Sequence, residues 1–188
     1  MSRLILKDGA RILAIDDSSF NRRSSRALAI GIIGRGNVVE GALSFKVAVD
    51  GNDSTAQVIK AVRGSRFRPQ IKVIIMNGIL LGGLNVVNVA ALCRTFNLPV
   101  IAVTRKKPHP EMLRSAILKN RVGSRAKLRA LEESMKGISL CRHKGYYLQL
   151  VGIDRRDAAR RFEEMLAFLR LARIIGSGIS KGESRGRM

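Results

Sequence analysis

The stretch from Ile71 to Val103 restricts the fold more than any other part of the chain. Residues 71–76 (IKVIIM) have the β-branched density of a central strand, and 100–103 (VIAV) read as another. Between them Asn85 is placed to cap a helix over 85–96, Asn97 closes that helix, and Leu98 and Pro99 break it. Two strands joined in this way lie parallel, with a right-handed crossover. The chain is therefore an α/β protein.

The flanking segments extend the sheet on both sides. Residues 11–15 (RILAI) and 27–33 (ALAIGII) are short buried strands separated by a polar loop over 16–26. In 43–49, Leu43, Phe45, Val47 and Val49 alternate with Ser44, Lys46 and Ala48, the period of a strand with one face more exposed. Three consecutive strands with short connections predict an antiparallel meander. Asp53 or Ser54 then caps a helix running to about Arg63. Beyond the parallel unit come a basic helical region over 110–136, a strand over 147–153, and a long helix from Arg155 to Ile174. Asp154 is its N-cap, and Ala158, Phe162, Met165, Leu166 and Leu169 share one face.

The expected fold is an α/β mixed sheet, three antiparallel strands followed by parallel strand–helix units, with flanking helices in a single domain over 1–175. The Gly/Ser/Arg-rich tail 176–188 reads as a frayed terminus or a phosphate-binding arm.

Charge identifies the partner class. With 35 Lys and Arg against 14 Asp and Glu, the net charge is +21, a field that concentrates phosphate polyanions. Nucleic acid is the expected partner, DNA ahead of RNA. From 105 to 129 the chain carries Arg105, Lys106, Lys107, Arg114, Lys119, Arg121, Arg125, Lys127 and Arg129 against Glu111 alone, which predicts a phosphate-tracking surface. Aromatic residues make up 4% of the chain, so backbone contact should dominate over base stacking. The N-terminal segment lacks a secretory pattern and no apolar run reaches the roughly 18 residues of a membrane span, so the expectation is cytoplasmic with no membrane partner. Cys93 and Cys141 stand apart as reduced core thiols, and His109 and His143 have no nucleophile partnered with them in the sequence.

The few early acids are placed suggestively. Asp16, Asp17, Asp50 and Asp53 lie at or just past the C-terminal ends of expected strands, where α/β sheets bind ligands. If they converge, a cation must neutralise them, and Mg²⁺ (or Mn²⁺) suits such carboxylates and assists phosphodiester cleavage. The same residues equally suit turn chemistry: Asp16 and Asp17 through an Asx bond, Asp50 and Asp53 in organising the DGND turn. The loop GILLGGLN before Asn85 could offer backbone N–H groups to a phosphate, although close packing explains its glycines as well. Its spacing fits neither the Walker nor the dinucleotide pattern, so no nucleotide cofactor is expected. Candidate nucleic-acid contacts are Asn85, Arg105, Lys106, Lys107, Arg185 and Arg187.

The segments RILAIDDSSF (11–20), VAVDGNDSTAQVI (47–59), IIMNGILLGGLNVVNV (74–89), LPVIAVTRKKP (98–108) and GESRGR (182–187) resemble an archaeal family known as domain of unknown function ninety-nine. That family is related to endonuclease V and sometimes described as a deoxyuridine endonuclease. The resemblance implies a ribonuclease-H-like fold, a metal-dependent endonuclease acting near a deaminated base, and a pocket for an extruded base. By position it implies metal carboxylates at Asp16 or Asp17 and among Asp50 and Asp53. A third would stand before Gly78, where this chain has Asn77, and Asn88 stands where a further acid is expected. An amide brings no charge to a metal, so the resemblance also leaves open a basic nucleic-acid-binding protein with a degenerate site.

Overall fold

The computed structural model describes residues 6–21, 23–120 and 122–184. A seven-stranded mixed sheet has the order β3-β2-β1-β4-β5-β7-β6. β1 (Arg11–Asp17), β2 (Arg26–Arg35) and β3 (Val38–Ala48) form the expected antiparallel meander. After α1 (Ser54–Arg63), β4 (Ile71–Asn77) enters beside β1 in parallel. Next come α2 (Val89–Phe96) and β5 (Val100–Thr104), which pairs with β4, again in parallel. The apolar strands β1 and β4 lie at the centre because helices cover both of their faces.

Strand alternation divides the core into two layers. Leu13 and Ile15 of β1 with Ile74 and Met76 of β4 pack against α1 and α2. Ile12, Ala14, Val73 and Ile75 pack against a long helix, α6 (Phe162–Lys181), through Met165, Leu166, Leu169 and Ala172. By the same alternation, Asp16 and Asn77 fall on the α6 side of the sheet, and Asp17 on the other.

Several boundaries differ from expectation for physical reasons. The helix expected from Asn85 begins at Val89, because residues 79–87 fold back on themselves through Leu81 N to Asn85 O and Val87 N to Ile79 O. Asn88, not Asn85, is the cap, its side chain accepting from Ala91 N at 2.9 Å. The basic helical region is two helices, α3 (Pro110–Asn120) and α4 (Ser124–Met135), parted at Gly123, which has a φ of +59°. β6 (Ser139–His143) was not expected: it is a five-residue edge strand with little burial, hairpinned to β7 (Tyr146–Val151), which runs antiparallel to β5. Asp154 caps α5 (Arg155–Arg160) as expected, but the helix breaks at Arg161, whose buried guanidinium bonds Glu164 and the carbonyls of Lys7 and Ala10. Beyond Ile174 the chain stays helical to Lys181, so the first turns of the expected tail belong to α6. Among the described residues no helix is long and apolar enough to cross a membrane.

Candidate functional site

The C-terminal ends of the parallel strands β1 and β4 bring Asp16, Asp17 and Asn77 together. Asp16 is 1% exposed. Asn77 Nδ2 donates to its two carboxylate oxygens at 3.2 and 3.3 Å, and the backbone N–H of Asp17 donates to Oδ1 at 2.9 Å. Arg173 of α6 reaches the same carboxylate at 3.6 Å. Its helix comes this close because residue 176 is glycine: a Cβ there would lie 3.2 Å from Ser18 Cα and Cβ, just past the end of β1. Asp17, on the opposite side, accepts from Gly82 N at 2.7 Å. Burial, and secondly the charge of Asp17, push the Asp16 carboxyl up to about 7. Burial also raises Asp17, against the pull of the Gly82 N–H.

The other two acids serve the backbone. Asp50 has a φ of +51°, bonds Gly82 O through its own N–H, and accepts from Leu84 N at 2.7 Å. Loop 82–84 therefore ties Asp17 to Asp50. A Cβ on Gly83 would stand 2.4 Å from Asp50 Oδ1, which explains a glycine there. Asp53 accepts from Ala48 N at 2.9 Å and Asn85 Nδ2 at 2.8 Å, the turn chemistry foreseen for DGND. Among the described residues no three His, Cys, Asp or Glu side chains gather into a metal cage.

The expected nucleic-acid contacts separate. Asn85 is fully buried, its oxygen taken by Ser54 N and its amide by Ala48 O and Asp53, so it braces the β3–α1 turn and cannot meet a polyanion. Arg105, Lys106 and Lys107 are exposed beyond β5, with Arg105 stacked over Tyr146. Arg185 and Arg187 lie outside the described residues. Lys127, expected on the basic surface, is instead buried; its Nζ bonds Asp50 O at 2.5 Å and Asn120 Oδ1 at 3.1 Å, and burial lowers its pKa. Asn88 donates to Glu133 at 2.7 Å and caps α2. Sequence reasoning missed Arg173, whose signal was a lone cation within the apolar run LARIIG.

A seven-stranded mixed sheet with helices on both faces defines an α/β protein. The chain superposes on Ciona intestinalis endonuclease V, crystallised with an inosine-containing DNA, with a TM-score of 0.52 at 10% identity over 85% of this chain and 80% of that one. It belongs to the Endonuclease dU family, whose model matches residues 8–180. A UPF0215 protein of Methanothermobacter thermautotrophicus is 38% identical, over 96% of this chain and 93% of its own. The UPF0215 protein of Pyrococcus furiosus is 33% identical, over 95% and 96%. A crystal structure of an Archaeoglobus fulgidus protein of unknown function aligns with a TM-score of 0.79 at 32% identity, covering 90% of this chain and 97% of that one.

Proposed function

We propose that this protein is a metal-dependent endonuclease that hydrolyses a phosphodiester of DNA near a deaminated base such as deoxyuridine, on a sheet of ribonuclease-H-like type. One observation carries the reading: Asp16 is buried and Asp17 half-buried next to it at the end of β1, and burial first, then the charge of Asp17, raises the Asp16 carboxyl to about 7. A carboxylate pair in this condition is relieved by a cation. Mg²⁺ or Mn²⁺ fits, since Mg²⁺ takes one or two protein carboxylates and keeps the rest of its shell for water and phosphate. Asp16 and Asp17 would hold it. Asp53 is left out, because its oxygens are engaged in the β3–α1 turn.

Bound there, the ion would supply Lewis acidity and a water of lowered pKa. The chain's own groups do the remainder. Asn77 fixes the rotation of the Asp16 carboxylate, and Arg173 adds positive charge on the α6 side. Arg105, Lys106 and Lys107 lie exposed just beyond β5, two strands from Asp16, where they can take backbone phosphates. A second reading, a nucleic-acid-binding protein that does not cut, draws on Asn77 in place of a third acid and on Arg173 already beside Asp16.

Strand cleavage separates the two. Purified protein with Mg²⁺ should nick a duplex carrying one deoxyuridine, and Asp16→Asn or Asp17→Asn should remove the nick while leaving DNA binding intact. Salt-sensitive binding with no nick in Mg²⁺ or Mn²⁺ would establish the second reading.

A further inference from the structure

A cation interrupts the stripe that α6 packs against the sheet. Met165, Leu166, Leu169 and Ala172 form that stripe in the layer that also holds Ile12 and Ala14 of β1. Arg173 comes four residues after Leu169 and three before the buried Gly176, so the three share one face of the helix. An arginine on such a face gives up water and needs a charge to meet. It meets Asp16, with Nη1 at 3.6 Å from Oδ2. The Arg173 side chain is 39% exposed and that of Asp16 1%, so the guanidinium links a buried anion to solvent. Its charge favours the ionised form of Asp17 as well as of Asp16.

Hydrolysis of phosphodiesters on carboxylates often uses two divalent ions about 3.5–4 Å apart. This centre has the acids for one. Mg²⁺ takes one or two protein carboxylates, and Asp16 and Asp17 supply them. Asp50 and Asp53 are engaged by the backbone of their own turn and of loop 82–84, Asn77 is neutral, and among the described residues no third acid joins the pair. A second ion would therefore add positive charge beside a guanidinium with no carboxylate to balance it. The separation of 3.6 Å also exceeds the roughly 2.7–2.9 Å of a close charge-assisted hydrogen bond, so Arg173 balances Asp16 without clamping it.

We infer that Arg173 is a positioning residue that stands permanently in place of a second divalent ion, so that the acid pair takes one ion per chain. The arginine is charged at every working pH and is not removed by chelator. It keeps Asp16 ionised on the α6 side, and it repels the ion that Asp16 and Asp17 hold. The inference rests on the reading of the acid pair as a divalent-ion site, and it adds the number of ions and the residue that limits it.

The test is calorimetric titration of Mn²⁺ at pH 8 into the full chain, without nucleic acid, for wild type, Arg173→Lys, Arg173→Gln and Arg173→Glu. Melting curves in chelator and in Mn²⁺ verify the fold of each. Wild type and Arg173→Lys should take up one Mn²⁺ per chain with similar affinity. Arg173→Gln should bind its ion about tenfold more tightly, because a neighbouring positive charge is gone. A residue that merely braced the fold would have the opposite effect when replaced. Arg173→Glu adds a carboxylate beside Asp16 and should take up two ions; should it fail to fold, Arg173→Gln decides alone. Two ions in wild type, Arg173→Gln binding no more tightly than wild type, or folded Arg173→Glu held at one ion would overturn the inference. Uptake that is lost in Asp16→Asn/Asp17→Asn but ignores Arg173 leaves the nuclease reading intact and removes this one. One ion per chain with the Arg173 effects as expected, in a protein that does not nick deoxyuridine DNA, does the reverse.

Discussion

Asn77, the last residue of β4, donates its side-chain amide to both carboxylate oxygens of Asp16 on the adjacent β1. A neutral donor at this point stabilises a buried charge that a third carboxylate would oppose. Asn77→Asp should therefore destabilise the metal-free protein at pH 8 by about 1–3 kcal/mol, with the deficit recovered in millimolar Mg²⁺. Thermal melts in chelator and in Mg²⁺ measure both. A variant as stable as wild type in chelator, or indifferent to Mg²⁺, contradicts this role for Asn77.

Asp16 gives the protein a pH dependence of defined sign. Its carboxyl titrates near 7 in the fold against an ordinary value of 3.8, so the folded state holds the proton more tightly than the unfolded chain. The contribution to stability is greatest below about pH 4, declines as pH rises toward 7, and is level above that. Asp16→Asn should match wild type near pH 4 and exceed it at pH 8 by up to about 4 kcal/mol. Urea midpoints across that window provide the measurement. A variant less stable than wild type at pH 8 would show that the buried charge is better compensated than Asn77 and Arg173 suggest.

Asn85 and Asp53 have a structural role that can be separated from binding. Asn85→Ala leaves Ser54 N–H and Ala48 C=O without their side-chain partner in a buried turn, at a cost of about 2–4 kcal/mol. Chemical denaturation should show the destabilisation, and the folded variant should bind DNA as wild type does. Unchanged stability with weakened DNA binding would restore Asn85 to the nucleic-acid contacts.

Most of the sheet was legible in the sequence because the β-branched runs of β1, β2 and β4 are buried on both sides and leave no competing period. β6 was not, since Ser139–His143 is an edge with mostly exposed side chains and no alternation to read. The start of α2 is ambiguous in sequence because Asn85 and Asn88 are equally good caps locally; the choice is made by loop 79–87, whose backbone bonds are tertiary. In the site, Asp16 and Asp17 could be found from their position at a strand end. Arg173 could not, because it gains its meaning from Asp16, on a strand more than 130 residues earlier. Lys127 shows the converse: a lysine within a basic run is expected in solvent, yet α4 carries it inward to the Asp50 carbonyl.

Charge should control affinity for nucleic acid in a countable way. Arg105, Lys106 and Lys107 are exposed together, and each phosphate that is no longer neutralised by a cation lowers the slope of log affinity against log salt by about 0.9. Replacing all three with Ala should reduce the slope by about 2–3, read from binding isotherms between low and physiological salt. An unchanged slope would place the phosphate track elsewhere.

The acid pair itself is tested most directly by titration calorimetry of Mn²⁺ into the protein at pH 8, with wild type compared to Asp16→Asn/Asp17→Asn. Saturable uptake by wild type is expected, and it should disappear in the double variant while the fold melts cooperatively in both. Identical isotherms for the two proteins, or no uptake by wild type, would contradict the assignment of Asp16 and Asp17 as the divalent-ion site.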